Sequence, residues 1–154
     1  MKALLTAVRT HLRSDANLSY IDDANIIITP DIDMIPVTLD FPGLAIKDGP
    51  VRRIVHTNLK WEVHLTVLIV ILQLLKSSDV SVMGQTTPKI YGVLEIAAAL
   101  HVSLNEQLLG ITGMEMAFPG ELETETETIG YEDSDLVLQR KIITYEYQKT
   151  EIRP

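Results

Sequence analysis

Four glutamates at alternate positions, Glu121, Glu123, Glu125 and Glu127, stand in the stretch ELETETETIG, with Leu122, Thr124 and Thr126 between them. A repeat of two is the strand period, so an extended backbone puts all four carboxylates on one face and the intervening side chains on the other. Carboxylates on one face then sit about 7 Å apart, and in water each neighbouring pair repels by roughly 0.6 kcal/mol. A dry core would not tolerate that. The row is therefore expected to face bulk solvent, a metal ion, or a water-filled space. A solvated edge strand kept from aggregating by its charges is one form of this, and the acidic wall of a channel through an oligomer is another. Ligands facing one way along a strand cannot wrap an ion without help from elsewhere in the chain.

Other groups that could do chemistry are scattered. Asp22, Asp23, Asp31 and Asp33 cluster in sequence, but DANIIITPDIDM lacks the glycine and the final glutamate of a calcium loop. His56 and His64 would lie about 27 Å apart on one continuous strand and could not share an ion. His11 and His101 fall on expected helices, where a solvated or hydrogen-bonded imidazole is the ordinary role. No Gly-x-Ser-x-Gly or Ser-x-x-Lys pattern offers an activated nucleophile, and the eight glycines form no phosphate-binding loop. These readings give no catalytic residue, no metal ligand set and no cofactor. Arg52 and Arg53 are the chain's adjacent arginines, a basic pair that could meet an acidic face on a neighbouring copy or remain a solvated loop.

The elements that must position these groups follow from periodicity. Leu4, Leu5, Val8 and Leu12 recur at helical spacing with Arg9 and Arg13 on another face, which predicts an amphipathic helix over residues 2 to 13. The runs 26–29 and 35–41 are β-branched and broken by Pro30, Pro36 and Pro42, as expected of edge or interrupted strands. Gly43, Gly49 and Pro50 suggest an exposed loop near 43–53, and SSDVSVMGQTTP a second near 77–88. Leu59, Trp61, Val63, Leu65 and Val67 alternate with polar residues, predicting a half-buried strand with Trp61 in the core. Beyond Val67 the polar face disappears, and periodicity alone does not separate strand from helix in 67–75. Pro88 is placed to open a helix whose buried side includes Ile90, Leu94, Ala97 and Leu100 or His101. An acidic hairpin or edge strand is expected near 119–134, then a closing strand with Ile143, Tyr145 and Tyr147 on one face. This order predicts one α+β domain over residues 1–154, a mostly antiparallel or mixed sheet with two main helices packed on one side.

Composition sets the outer bounds. The chain has 154 residues, 46% of them hydrophobic and 22% charged, a globular balance. Its formal net charge of −8 argues against binding nucleic acid through phosphates. It has no cysteine, which excludes disulfides and thiolate sites. Arg9, His11 and Arg13 interrupt what would be the apolar core of a secretory leader, and the most apolar run, 65–75, is too short to span a bilayer, so a soluble protein without membrane partners is expected.

The layout as a whole resembles the tail-terminator, or tail-completion, proteins of long-tailed bacteriophages and phage-like particles. The resemblance runs through the opening helix ALLTAVRTHL, then NIIITPDIDMIPVTLDFPG, the strand KWEVHLTVLIVI, the helix GVLEIAAALHVSL, and AFPGELETE leading to IITYEYQ. It implies a non-enzymatic structural subunit without cofactors that assembles as a hexameric ring on the finished tail tube. Such a ring stops tube growth and presents a surface to the head. Its partners would be further copies of itself (a hexamer when assembled, with a monomer in solution as the alternative before assembly), the tail tube protein and a head or neck connector, with DNA passing through unbound. Its place would be the head-proximal end of the virion tail, after assembly in the host cytoplasm. A neck or head-completion subunit, or a small divalent-metal-dependent enzyme or binding domain using the Asp and Glu clusters, are the alternatives. On the ring reading, Glu121, Glu123, Glu125 and Glu127 are candidates for the channel lining, and Arg52 and Arg53 for a subunit contact.

Overall fold

A computed structural model describes residues 1–34, 36, 38–75, 79–130 and 136–153. Helix α1 (Lys2–Ser14) is followed by two short 3₁₀ turns, strand β1 (Ile26–Ile28), and the long hairpin of β2 (Gly43–Thr57) and β3 (Lys60–Leu74). A single helical turn, α2 (Val80–Met83), leads to α3 (Val93–Leu104). Then come β4 (Met114–Ala117), β5 (Leu122–Glu123), β6 (Glu127–Gly130) and the closing strand β7 (Val137–Ile152). The fold is α+β, as its element order predicts.

Among the described residues the seven strands form one sheet. Its spine runs β1-β2-β3-β7-β4, parallel only between β1 and β2. The outer edge of β7 is served in turn by β4, β5 and β6, each antiparallel to it. One long strand thus carries three short ones.

Both helices of more than one turn lie against the same sheet face. Leu4, Val8 and Leu12 of α1, at four-residue intervals, and Ile96, Leu100 and Leu104 of α3 pack into one core with Val63, Leu65, Val67, Ile69, Ile143, Tyr145 and Tyr147. The other face is covered at one end only. There Leu39, Ala45, Val70, Leu72, Leu138 and Ile142 form a second core, with Ile27, Ile32 and Phe41 packed against it. Two covered faces explain why 67–74 loses its polar alternation: β3 is one continuous strand, buried on both sides at that end and on one side elsewhere.

Three expectations need correction. Residues 43–57 are a strand and not an exposed loop, because Leu44, Ala45 and Ile46 are buried and paired with both β1 and β3. Gly49 and Pro50 fall in a bulge between the paired residues Asp48 and Val51, where a Cβ on Gly49 would lie 2.9 Å from Thr66. Proline is acceptable there because β1 ends before it and, among the described residues, leaves that edge of β2 without a partner strand.

The run 35–41 falls partly outside the described residues, and Pro36 and residues 38–41 are not strand. Leu39 and Phe41 serve as a cover over the second core, fixed by the Asp40 N–H donated to Asn25 Oδ1 at 3.0 Å. Helix α3 begins at Val93, since Ile90 is held in a two-residue bridge with Gln85. Its buried stripe is Val93, Ile96, Ala97, Leu100 and Leu104, and Leu94 is exposed.

Candidate functional site

The acidic row is laid against β7 by a series of short contacts. Phe118 N–H donates to the Glu146 carbonyl at 2.9 Å, and Gly120 N–H to Asn105 Oδ1 at 3.0 Å. Gly120 approaches the sheet and α3 so closely that a Cβ there would meet Ile143 and Tyr145 at 2.9 Å and His101 at 3.0 Å. Leu122 then pairs with Thr144 and Glu123 with Ile143, whereas after 124–126 Glu127 pairs with Arg140. The register has slipped by one residue. At the slip Thr124 N–H donates to the Ile142 carbonyl at 2.9 Å, and the Thr124 hydroxyl accepts from Ile142 N–H at 3.0 Å.

A slip of one turns every later side chain to the opposite face. The expectation that all four glutamates share one face therefore fails. Glu123 is on the helix-covered side, where it pairs with Lys141 Nζ at 2.9 Å and with His101 Nε2. Glu127 is on the other side, 3.2 Å from the Arg140 guanidinium. Glu121 and Glu125 are exposed and take part in no ion pair formed among the described residues. Two of the four charges are thus compensated, which alternation in the sequence could not reveal.

Around Glu123 the groups form a chain. Burial pushes the Tyr145 hydroxyl well above its ordinary pKa, and it lies 3.3 Å from His101 Nδ1. Because the ionised carboxyl of Glu123 can only accept, the hydrogen bond between it and His101 puts a proton on His101 Nε2. Partial burial alone would raise the Glu123 pKa; hydrogen bonds from Lys141 and His101 outweigh it and hold the carboxyl below its usual range. Lys141, itself buried, also donates to the Thr124 carbonyl at 2.6 Å.

Arg140 is the corresponding clamp on the opposite face. Its guanidinium meets Asp33 at 2.7 Å and the Ile32 carbonyl at 3.4 Å as well as Glu127. It thereby ties the cover segment to β6. Asp22 caps a 3₁₀ turn through Ala24 N–H, and Asp31 accepts from Asp33 N–H at 3.0 Å. The aspartates thus serve turns and this clamp. Among the described residues no three His, Asp or Glu side chains converge as metal ligands.

A third polar group, on the open half of the sheet, was missed from sequence. His64 lies between two carboxylates, Nδ1 2.6 Å from Glu146 and Nε2 2.6 Å from Glu62, and stacks near Phe118 with ring centroids 6.5 Å apart. His56, across the hairpin, reaches the same Glu62 at 3.9 Å. Both ring nitrogens of His64 can donate at once only as imidazolium, and hydrogen bonds to Glu146 and then Glu62 raise its pKa accordingly. Arg52 pairs in register with His64 and Arg53 with Val63, so the two arginines leave opposite faces of β2. Arg53 comes within 3.8 Å of Glu151.

Beside this cluster Phe118, Pro119, Glu121, Leu122, Thr144 and Glu146 line an open notch of about 470 Å³. Phe118, Pro119 and Leu122 give it an apolar side, and Glu121 and Glu146 an acidic one.

The same fold occurs in a virus-like particle. A solved structure described as "Virion of native gene transfer agent (GTA) particle" contains a chain similar to this one at TM-score 0.55 and 16% sequence identity. The match covers 96% of this chain and 95% of the other, so the likeness is one of whole folds. No protein-family model matches the chain, and no curated protein does. Among the described residues, no helix is long and apolar enough to cross a membrane.

Proposed function

We infer that the chain is a structural subunit of a phage-like particle, a protein that works through shape and interfaces and not through catalysis. The observation that carries this is the end-to-end fold similarity to a chain of a gene transfer agent virion. The finer reading is that of the sequence resemblance: six copies close into a ring on the finished tail tube, stop its polymerisation and offer a surface to the head. A net charge of −8 per copy, multiplied around a ring, would let DNA pass without adhering to the wall. With Glu123 and Glu127 held in ion pairs on opposite faces and Glu121 lining the notch, Glu125 is the member of the acidic row best suited to such a wall. The basic pair Arg52 and Arg53 stays a candidate for the contact between copies.

Electron microscopy of tails made with and without this protein tests the reading. Its absence is expected to give tubes of uncontrolled length, and its addition to purified tubes to cap one end with a ring. Tubes of normal length that fail to join heads would favour a neck or head-completion subunit instead.

A further inference from the structure

The β2–β3 hairpin and the end of β7 form an arm whose charge is opposite to that of the chain. Residues 51–62 and 149–153 carry Arg52, Arg53, Lys60, Lys149 and Arg153 against Glu62 and Glu151, a net positive segment in a chain of net −8. Its tip is also apolar. Val55, Leu59 and Ile152 are 63%, 74% and 83% exposed, and the Arg153 N–H donated to the Leu59 carbonyl at 2.8 Å holds the two strands' ends together there. Val55, in register with Trp61, and Ile152, in register with Lys60, leave opposite faces of the tip with Leu59 at the turn between them, and exposed apolar side chains beside lysine and arginine have the composition of a contact surface.

The notch described above has the complementary chemistry. Its lining includes Glu121, outside the ion pairs formed among the described residues, and Glu146, whose carboxylate is shared with His64, and Leu122, 67% exposed, offers apolar surface beside Phe118 and Pro119. The two surfaces of one copy cannot meet. Lys60 pairs with Ile152 at the tip and Thr66 with Glu146 at the notch, six residues away along one continuous strand, about 20 Å. Any contact between tip and notch is therefore between copies, and it joins unlike surfaces.

The geometry points to the basic, apolar tip of the arm docking into the acidic notch of a second copy of this chain. Such a head-to-tail contact repeats from copy to copy and closes into a ring or continues as a filament. Its closure at six rests on the ring reading above; the contact itself does not.

Because the chain has no cysteine, introduced thiols report this contact alone. The test compares Leu59→Cys, Leu122→Cys and the double variant in the full chain, oxidised at the highest soluble concentration and read on a non-reducing gel. The expected result is a ladder of cross-linked oligomers from the double variant, and from an equimolar mixture of the two single variants a dimer at least tenfold more abundant than from either alone. Adding Glu121→Lys should suppress the ladder severalfold, and Lys60→Glu introduced with it should restore it. No ladder, or self-linked single variants as abundant as the mixed dimer, would overturn the proposal; a different partner, such as a tube subunit, would then have to fill the notch. Rings in micrographs without tip-to-notch links would keep the ring and remove this contact. A ladder forming only open chains would do the reverse.

Discussion

Glu123 is paired across the sheet with Ile143, and Glu127, four residues further on, with Arg140, so the two carboxylates leave opposite faces of one edge. A row that reads as uniform in sequence is divided by one inserted residue into a part fastened to α3 and a part fastened to the cover segment.

The two kinds of glutamate should respond differently to the same change. Glu123→Gln keeps the shape but removes the charge that Lys141 and His101 address, leaving a buried ammonium partly uncompensated. A loss of about 1–2 kcal/mol in unfolding free energy is expected. Glu125→Gln, exposed and outside the ion pairs, should stay within about 0.5 kcal/mol of wild type. Urea unfolding midpoints, at unchanged slope, check both.

Arg140 joins the adjacent Ile32 and Asp33 to Glu127, two segments far apart in sequence, so its removal should cost more than a surface ion pair. Its side chain is largely buried between Asp33 and Glu127. Arg140→Ala is expected to destabilise by about 2–3 kcal/mol, and Arg140→Lys to recover less than half of that, since an ammonium cannot reproduce the planar fork. Amide hydrogen exchange at Ile32 and Thr128 should rise in both variants.

Much of this architecture was legible because it depends on local periodicity. The four-residue spacing of Leu4, Val8 and Leu12, and the alternation of Ile143, Tyr145 and Tyr147, are each set by one covering layer. What could not be read depends on pairing over long separations. Nothing near Gly49 and Pro50 says that a strand continues through them; β3 supplies the register that makes them a bulge. Nothing within ELETETETIG marks the slip, which arises because Thr124 caps Ile142 with its hydroxyl as well as its backbone. His64 similarly gains its two carboxylates from Glu62 on its own strand and Glu146, 82 residues away.

His64 gives the protein a defined pH dependence. Its pKa is raised in the folded state by Glu146 and Glu62, so folding favours the protonated form. The contribution is fully present below the unfolded value of about 6.5 and is lost as pH rises through the higher folded value. The stability difference between wild type and His64→Gln should therefore shrink on going from slightly acid to alkaline conditions. Nuclear magnetic resonance titration of the imidazole should place its midpoint above 6.5, and a midpoint at or below that value would contradict the bridging geometry. Glu123 works in the opposite direction: its folded pKa is lowered, so its contribution is present above the ordinary glutamate value and is lost as pH falls from there through the lower folded value.

Gly120 is the point at which the acidic segment is let down onto the sheet, and it tests whether that placement matters for assembly. A methyl group there would lie within 3.0 Å of Ile143, Tyr145 and His101, closer than side chains approach in folded proteins, and the first two belong to a strand fixed on both sides. The segment and not β7 should therefore give way. Gly120→Ala is expected to cost about 1–3 kcal/mol, to weaken the His101–Glu123 pair, and to move the Leu122 side of the notch away from Thr144. Global unfolding measures the first effect and exchange of the Glu123 and Thr124 amides the second. If the notch receives a neighbour's arm, the variant should also lose cross-linking between Leu59→Cys and Leu122→Cys chains under conditions where it remains folded, whereas a segment that merely coats the edge would lose stability and leave that yield unchanged.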